Sequence, residues 1–241
     1  MLKEWLGRIR EVAAFRGPHV RFWKRSFAGS NDYWVRRYRN GRNSGTGSYG
    51  RLAQFKARVL NEFVRAHHVQ SVIEFGCGDG HQLSLADYPA YTGLDISPHA
   101  LERCRRRFAH DTTRRFLTLA DYNGQTAELA LSLDVVYHLV EDAVFEEYLR
   151  RLFAAATRFV VVYASNHGEN PPGQGPHVRH RRFTDWVAAH EAEWQLLEHI
   201  PNEYPYAPGE PETSFADFYI FRRATVVPVE MSGGRPPQGN R

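Results

Sequence analysis

A chain of 241 residues, 42% of them hydrophobic and five of them Trp, fits one α/β domain with extensions and a sizeable core. The net charge is +4, but residues 1–27 hold seven Lys/Arg against two Glu, so the rest is near neutral and presents no broad footprint for nucleic acid. No transmembrane-length apolar run or secretory apolar core occurs, and two cysteines (Cys77, Cys104) give no disulfide framework, which fits a cytoplasmic location.

Leu2, Trp5, Leu6, Ile9, Val12 and Ala13 recur at helical spacing, predicting an amphipathic helix over 2–15 that stops at Gly17-Pro18. With its Lys and Arg, segment 1–27 suits peripheral contact with an anionic membrane, or packing on the domain or a second subunit. Residues 31–50 carry Tyr33, Trp34, Arg36, Arg37, Tyr38 and Arg39 and then four glycines, readable as a flexible linker although linkers seldom sit beside such aromatic and basic clusters. Leu52, Phe55, Val59, Leu60 and Phe63 predict the next helix.

Val72 to Phe75 reads as a buried strand, and Gly76, Gly78 and Gly80 follow at alternate positions. Such glycines permit a tight turn and bring backbone amides close to a ligand. The spelling departs from the dinucleotide fingerprint: His81 stands where the third glycine would fall, and Glu74 sits two residues before the first. His81 to Ala86 leaves room for a short helix only, before Tyr88-Pro89.

Tyr91 to Asp95 is a second strand, with Ser97 to cap the following helix, Pro98 in its first turn, and Leu101, Cys104 and Phe108 as its buried stripe. Arg115 to Leu119 and Leu129 to Asp134 are the third and fourth strands, the latter running on to His138. An amphipathic helix over Val144 to Phe153 leads to a fifth strand, Phe159 to Tyr163. Residues 164–182 form a long loop with His167, His177, Arg179, His180, Arg181 and Arg182, whose arginines suit a phosphate or carboxylate, or simply solvent. Phe183 to His190 returns as helix, and Trp194 to Ile200 and Ser214 to Phe221 are the last strands. His177 and His180 lack a third ligand, so no metal site is expected.

The ordered series of Glu74 with its glycine loop, Asp95, Asp121 and Asp134 to His138, spanning about residues 71–222, resembles the class I S-adenosylmethionine-dependent methyltransferases. Within that family it looks most like bacterial stand-alone methyltransferase-domain proteins. The resemblance implies a single Rossmann-like doubly wound α/β sheet of seven strands, the last antiparallel, with an N-terminal helical extension. It divides the chain into a helical arm and glycine-rich lid (1–50), a methyltransferase domain (51–225, with 164–182 inserted) and a disordered tail (226–241). It also implies S-adenosyl-L-methionine as cofactor. Glu74 would meet the methionyl ammonium, Asp95 the ribose and Asp121 the adenine amine, with Tyr122 or Leu119 on the purine face. Gly76, Cys77, Gly78, Ile96, Leu133 and Asp134 complete the expected cofactor site, and Tyr33, Trp34, Tyr38 and the Ser44–Tyr49 loop belong to the lid.

Because a hydroxyl acceptor must lose a proton, a histidine titrating near neutrality suits the general base. His138 is the first choice, with His167, His177 and His180 in reserve. The expected reaction is O-methylation of a small-molecule or carbohydrate-like (glycan) acceptor. The competing readings are an RNA-directed methyltransferase using the Arg36-to-Arg39 run, a dehydrogenase, and a cofactor-binding protein without transferase activity.

Overall fold

A computed structural model of the chain describes residues 27–224. The amphipathic helix expected over 2–15, nearly all of the basic arm and the tail from 226 lie outside these residues. Strands form where β-branched and aromatic residues run together: β1 (Ser71–Phe75), β2 (Ala90–Asp95), β3 (Arg114–Thr118), β4 (Ala127–Leu133), β5 (Ala156–Ala164), β6 (Trp194–Ile200) and β7 (Asp217–Arg223). The α-helices among the described residues are α1 (Ser30–Arg39), α2 (Gly50–Ala66), α3 (Pro98–Arg107), α4 (Asp142–Ala154) and α5 (Phe183–His190).

The strands make one sheet in the order β3-β2-β1-β4-β5-β7-β6. β1 to β5 pair in parallel, and β7 is antiparallel to both of its neighbours, β5 and β6. The expected Rossmann-like sheet with an antiparallel last strand is therefore the observed one. Strand order reverses between β1 and β4, the switch point at which open α/β sheets bind ligands beyond the strand C-termini. Register decides what stands there. Phe75 pairs with Leu94 and Glu74 with Leu131, so the chain leaves β1, β2 and β4 at nearly the same level.

Central strands are buried along nearly their whole length, as parallel strands covered on both faces must be. α2 contributes Leu52, Phe55, Leu60 and Phe63 to the core, and α4 contributes Phe145, Leu149, Leu152 and Phe153. Ser97 caps α3 by accepting from Ala100 N, with Pro98 in the first turn as expected.

Three local readings change. Residues 30–39, within the stretch readable as a flexible linker, form a helix that an Asp32–Arg36 ion pair braces at 2.9 Å. After the glycines only a 3-10 turn, Gln82–Leu85, fits before the chain enters β2. The last strand starts three residues later than Ser214, because Ser214 Oγ accepts from Ala216 N in a turn while Ser214 itself bridges to Pro205.

One buried hydroxyl ties α4 to the sheet. Tyr148 donates to the carbonyl of Phe75 at 2.9 Å, and its oxygen lies 2.7 Å from Ser132 Oγ, which donates in turn. Tyr148→Phe would leave the Phe75 carbonyl and the Ser132 hydroxyl unpaired at the very end of β1. Urea unfolding should show a loss of about 1–3 kcal/mol with an unchanged m-value.

Candidate active site

Beyond the C-terminal ends of β1, β2 and β4 lies a cavity of about 600 Å³. Its floor is Glu74, Phe75, Gly76, Cys77 and Gly78, with Asp95 and Ile96 after β2 and Leu133, Asp134, Val135 and His138 after β4. Thr118, Leu119 and Ala120 close one end, beside Val144, Glu147 and Arg151 of α4. The roof is the N-terminal segment: Ser30, Asn31, Trp34 and Tyr38 from α1, then Ser44 and Ser48 from the glycine-rich loop.

The floor is held by backbone donors. Gly76 N and Cys77 N both donate to the carbonyl of Leu94, at 2.7 and 2.9 Å, and Gly78 N donates to Asp95 Oδ2 at 3.0 Å. Gly76 and Gly78 sit at φ 86° and 59°, and a Cβ on Gly78 would stand 2.4 Å from Ser44 Oγ. The glycines thus serve the turn and the close approach of the roof together.

Asp79 fastens roof to floor. Its Oδ2 accepts from Ser44 N at 3.1 Å and from the Tyr49 hydroxyl at 2.8 Å, while its own N–H donates to Ser44 Oγ. The Tyr38 hydroxyl lies 2.9 Å from the same Ser44 oxygen, and Tyr49 stacks on His81 at 4.1 Å. These bonds hold the Asp79 carboxyl below its usual range despite its burial. At the other end of the roof, Ser30 N and Oγ donate to the Glu141 carboxylate at 3.0 and 2.6 Å.

Burial acts in the opposite sense on the floor acids. Glu74, bonded only to the Tyr91 hydroxyl at 2.6 Å, is pushed up to about 7, and Asp95 to about 6. Asp134 leaves β4 at φ 60°, accepts from the Tyr137 hydroxyl at 2.7 Å and pairs with Lys56 Nζ at 2.5 Å. His138 stands next along the wall, its Nδ1 2.8 Å from the carbonyl of His177. A carbonyl only accepts, so Nδ1 carries the proton and Nε2 keeps its lone pair. Burial among Trp34, Tyr137 and His177 pushes the imidazole down to about 4.

Of the residues singled out from the sequence, Glu74, Gly76, Cys77, Gly78, Asp95, Ile96, Leu133, Asp134 and His138 line the cavity. Asp121 and Tyr122 do not. Asp121 is exposed and accepts from the Thr118 hydroxyl at 2.6 Å, and Tyr122 packs edge-on against Phe75, so the wall beyond β3 is Thr118 to Ala120. His167 and His180 lie against each other, their rings tilted and 4.4 Å apart, away from the cavity lining, with His180 bonded to Ser165. Arg179 and Arg181, expected to meet an anionic group or solvent, instead donate to the carbonyls of Leu139 and Val140 and pair with Asp142. Lys56, Asp79 and Gln82 were not foreseen, whereas Ser44 lies in the loop expected to cover the site. Lys56 alone left a readable signal, a charge inside an otherwise apolar helical stripe.

A methyltransferase-domain family model matches residues 73–158. The chain carries a methyltransferase domain, and S-adenosylmethionine is its cofactor. Mouse EEF1A lysine methyltransferase 4 is 24% identical over 187 residues, which cover 66% of this chain and 68% of that protein. The solved N-methyltransferase NodS from Bradyrhizobium japonicum WM9, in complex with S-adenosyl-L-homocysteine, superposes with a TM-score of 0.63 at 14% identity, covering 81% of this chain and 98% of that one. The small RNA methyltransferase HEN1 superposes at 0.54 with 18% identity, over 73% of this chain and 26% of that one. These likenesses in fold extend over proteins named for different acceptors.

The cavity fits S-adenosylmethionine on its own features: a floor of glycines whose missing Cβ atoms leave room, a carboxylate after β2 and an acid at the end of β1. When bound, the cofactor supplies an electrophilic sulfonium methyl. Glu74 suits its ammonium, because a neighbouring cation favours the ionised carboxylate that burial opposes.

That opposition has a pH signature. In the free protein Glu74 keeps its proton up to about 7, whereas an unfolded Glu releases it near its ordinary value of 4.5. Stability is therefore full below about 4.5, declines as pH rises toward 7, and then levels off. Glu74→Gln, which can still accept from Tyr91, removes the decline. Its gain in thermal stability should be negligible at pH 4.5 and grow to as much as about 3 kcal/mol at pH 8. Thermal melts across that range check it, and an equal gain at both ends would refute it.

Proposed function

We propose that this methyltransferase O-methylates a small, polar, carbohydrate-like acceptor, with His138 as general base. The observation that carries the reading is the hydrogen bond between His138 Nδ1 and the carbonyl of His177, which leaves a neutral ring at the cavity wall with Nε2 free. A hydroxyl must give up its proton as its oxygen takes on the methyl group, and Nε2 is the base available to receive it. The remaining contribution is positional, since enclosure between roof and floor holds acceptor and methyl in line. Enclosure also supports a small acceptor, and Asn31 and Ser48 supply polar groups in the roof.

The arginine-rich stretch gives little support to an RNA acceptor. Tyr38 is 4% exposed beneath the roof, Tyr33 stacks on His177 at 4.2 Å, and Arg37 donates to the carbonyl of Asn43. The aromatic faces that single-stranded bases would need are occupied.

His138→Ala should lower turnover at least 100-fold while the affinity for S-adenosylhomocysteine, measured calorimetrically, stays within twofold. Near-normal turnover would sink the assignment. Because the imidazole sits near 4, the acid limb of kcat/KM should fall close to pH 4 rather than 6.5. Radiolabelled cofactor mixed with host extract reports the acceptor directly. Label should enter a protease- and ribonuclease-resistant small-molecule or glycan fraction, and label lost on either digestion would overturn the acceptor class.

A further inference from the structure

Lys56 occupies a place where the sequence pattern asks for an apolar residue. It lies among the core residues Leu52, Ala53, Phe55, Ala57 and Leu60 of α2, and its side chain is 1% exposed. Moving an ammonium out of water costs several kcal/mol, and an apolar side chain of similar volume would often serve stability as well or better. The pair with Asp134 offsets part of that cost. It does not use up the lysine, which has three N–H donors. Asp134 Oδ2 accepts one, the face of Tyr163 lies 5.2 Å from Nζ, and no second hydrogen-bond acceptor appears among the described residues. Lys56 lines the cavity, so its remaining donor capacity is available to a ligand.

Gln82 presents the complementary demand on the same cavity. It is 8% exposed, and its Nε2 donates to the carbonyl of Ala53, one turn before Lys56 on α2, at 3.1 Å. Its Oε1 is buried with no partner, and an orphaned buried acceptor costs about 1–3 kcal/mol unless something donates to it. Glu74, on the cavity floor, is a second acceptor within reach of the Lys56 charge. A donor that seeks an anion thus stands near two acceptors that seek a cation. The chemical group that satisfies both is a carboxylate and an ammonium on one carbon.

We propose that Lys56 and Gln82 grip an α-amino-acid end inside the cavity, Lys56 donating to the carboxylate and Gln82 Oε1 accepting from the ammonium. This rests on the cavity being the S-adenosylmethionine site, where the methionyl end carries that group. Asp134 is then a positioning residue that keeps the ammonium aimed.

Two probes separate the amino-acid end from the nucleoside. S-adenosylhomocysteine carries it and 5′-methylthioadenosine does not. Titration calorimetry on Lys56→Met and Gln82→Leu should show at least tenfold weaker binding of S-adenosylhomocysteine, with 5′-methylthioadenosine within twofold of the parent protein. Should Lys56→Met unfold because Asp134 is left uncompensated, the Lys56→Met/Asp134→Asn double variant removes both charges and is read the same way. Unchanged S-adenosylhomocysteine affinity overturns the proposal, and so does equal weakening of both probes, which signals a collapsed cavity. A parent protein that binds neither probe would instead count against the cofactor site itself.

Discussion

Asp95 is the point on which the site turns. Burial favours its protonated form, yet the carboxylate accepts from Gly78 N with one oxygen and from Ser97 N with the other. The first bond sets the glycine turn that follows β1, and the second sets the entry to α3. Both elements therefore take their position from one residue at the end of β2, and the two carbonyl-bound amides of Gly76 and Cys77 hang from the same strand end. Lone pairs remain on each oxygen, so the group that shapes the turn can also receive a ligand hydroxyl without rearrangement.

The architecture was legible because it depends on local pattern. Apolar runs of four to nine residues, separated by amphipathic stretches with a readable cap at Ser97, yield consecutive strand-helix units, and parallel connection follows from their spacing. Side chains fixed by the backbone of β1, β2 and β4 were legible for the same reason, since each acid ends a strand. What escaped depends on contacts distant in sequence. Asp79 looks like a turn residue until Ser44 and Tyr49 reach it from 35 and 30 positions away. Asp121 matched by order along the chain, but the Thr118 hydroxyl three residues back captures it. Arg179 and Arg181 looked free for an anion and are consumed by the carbonyls that end at Val140.

Charge burial runs through the whole site. Glu74, Asp95, Lys56 and Asp134 all stand where an apolar side chain would favour the fold, and each is compensated only in part by neighbours. Such incomplete compensation is the usual physical mark of a binding region, because a ligand can supply what the protein does not. The stable shell around it, with Val160, Val161, Val162, Leu149 and Leu152 fully buried, holds these groups in place.

The bonds from Asp79 to the roof have a consequence for motion. Ser44 and Tyr49 are joined to an acid that lies within the glycine turn, not to a separate rim. Lifting the roof therefore strips the turn of partners on its outer side at the moment the cavity opens. Roof and floor are thus coupled through one carboxylate, and any motion of the roof would have to be shared by the turn beneath it.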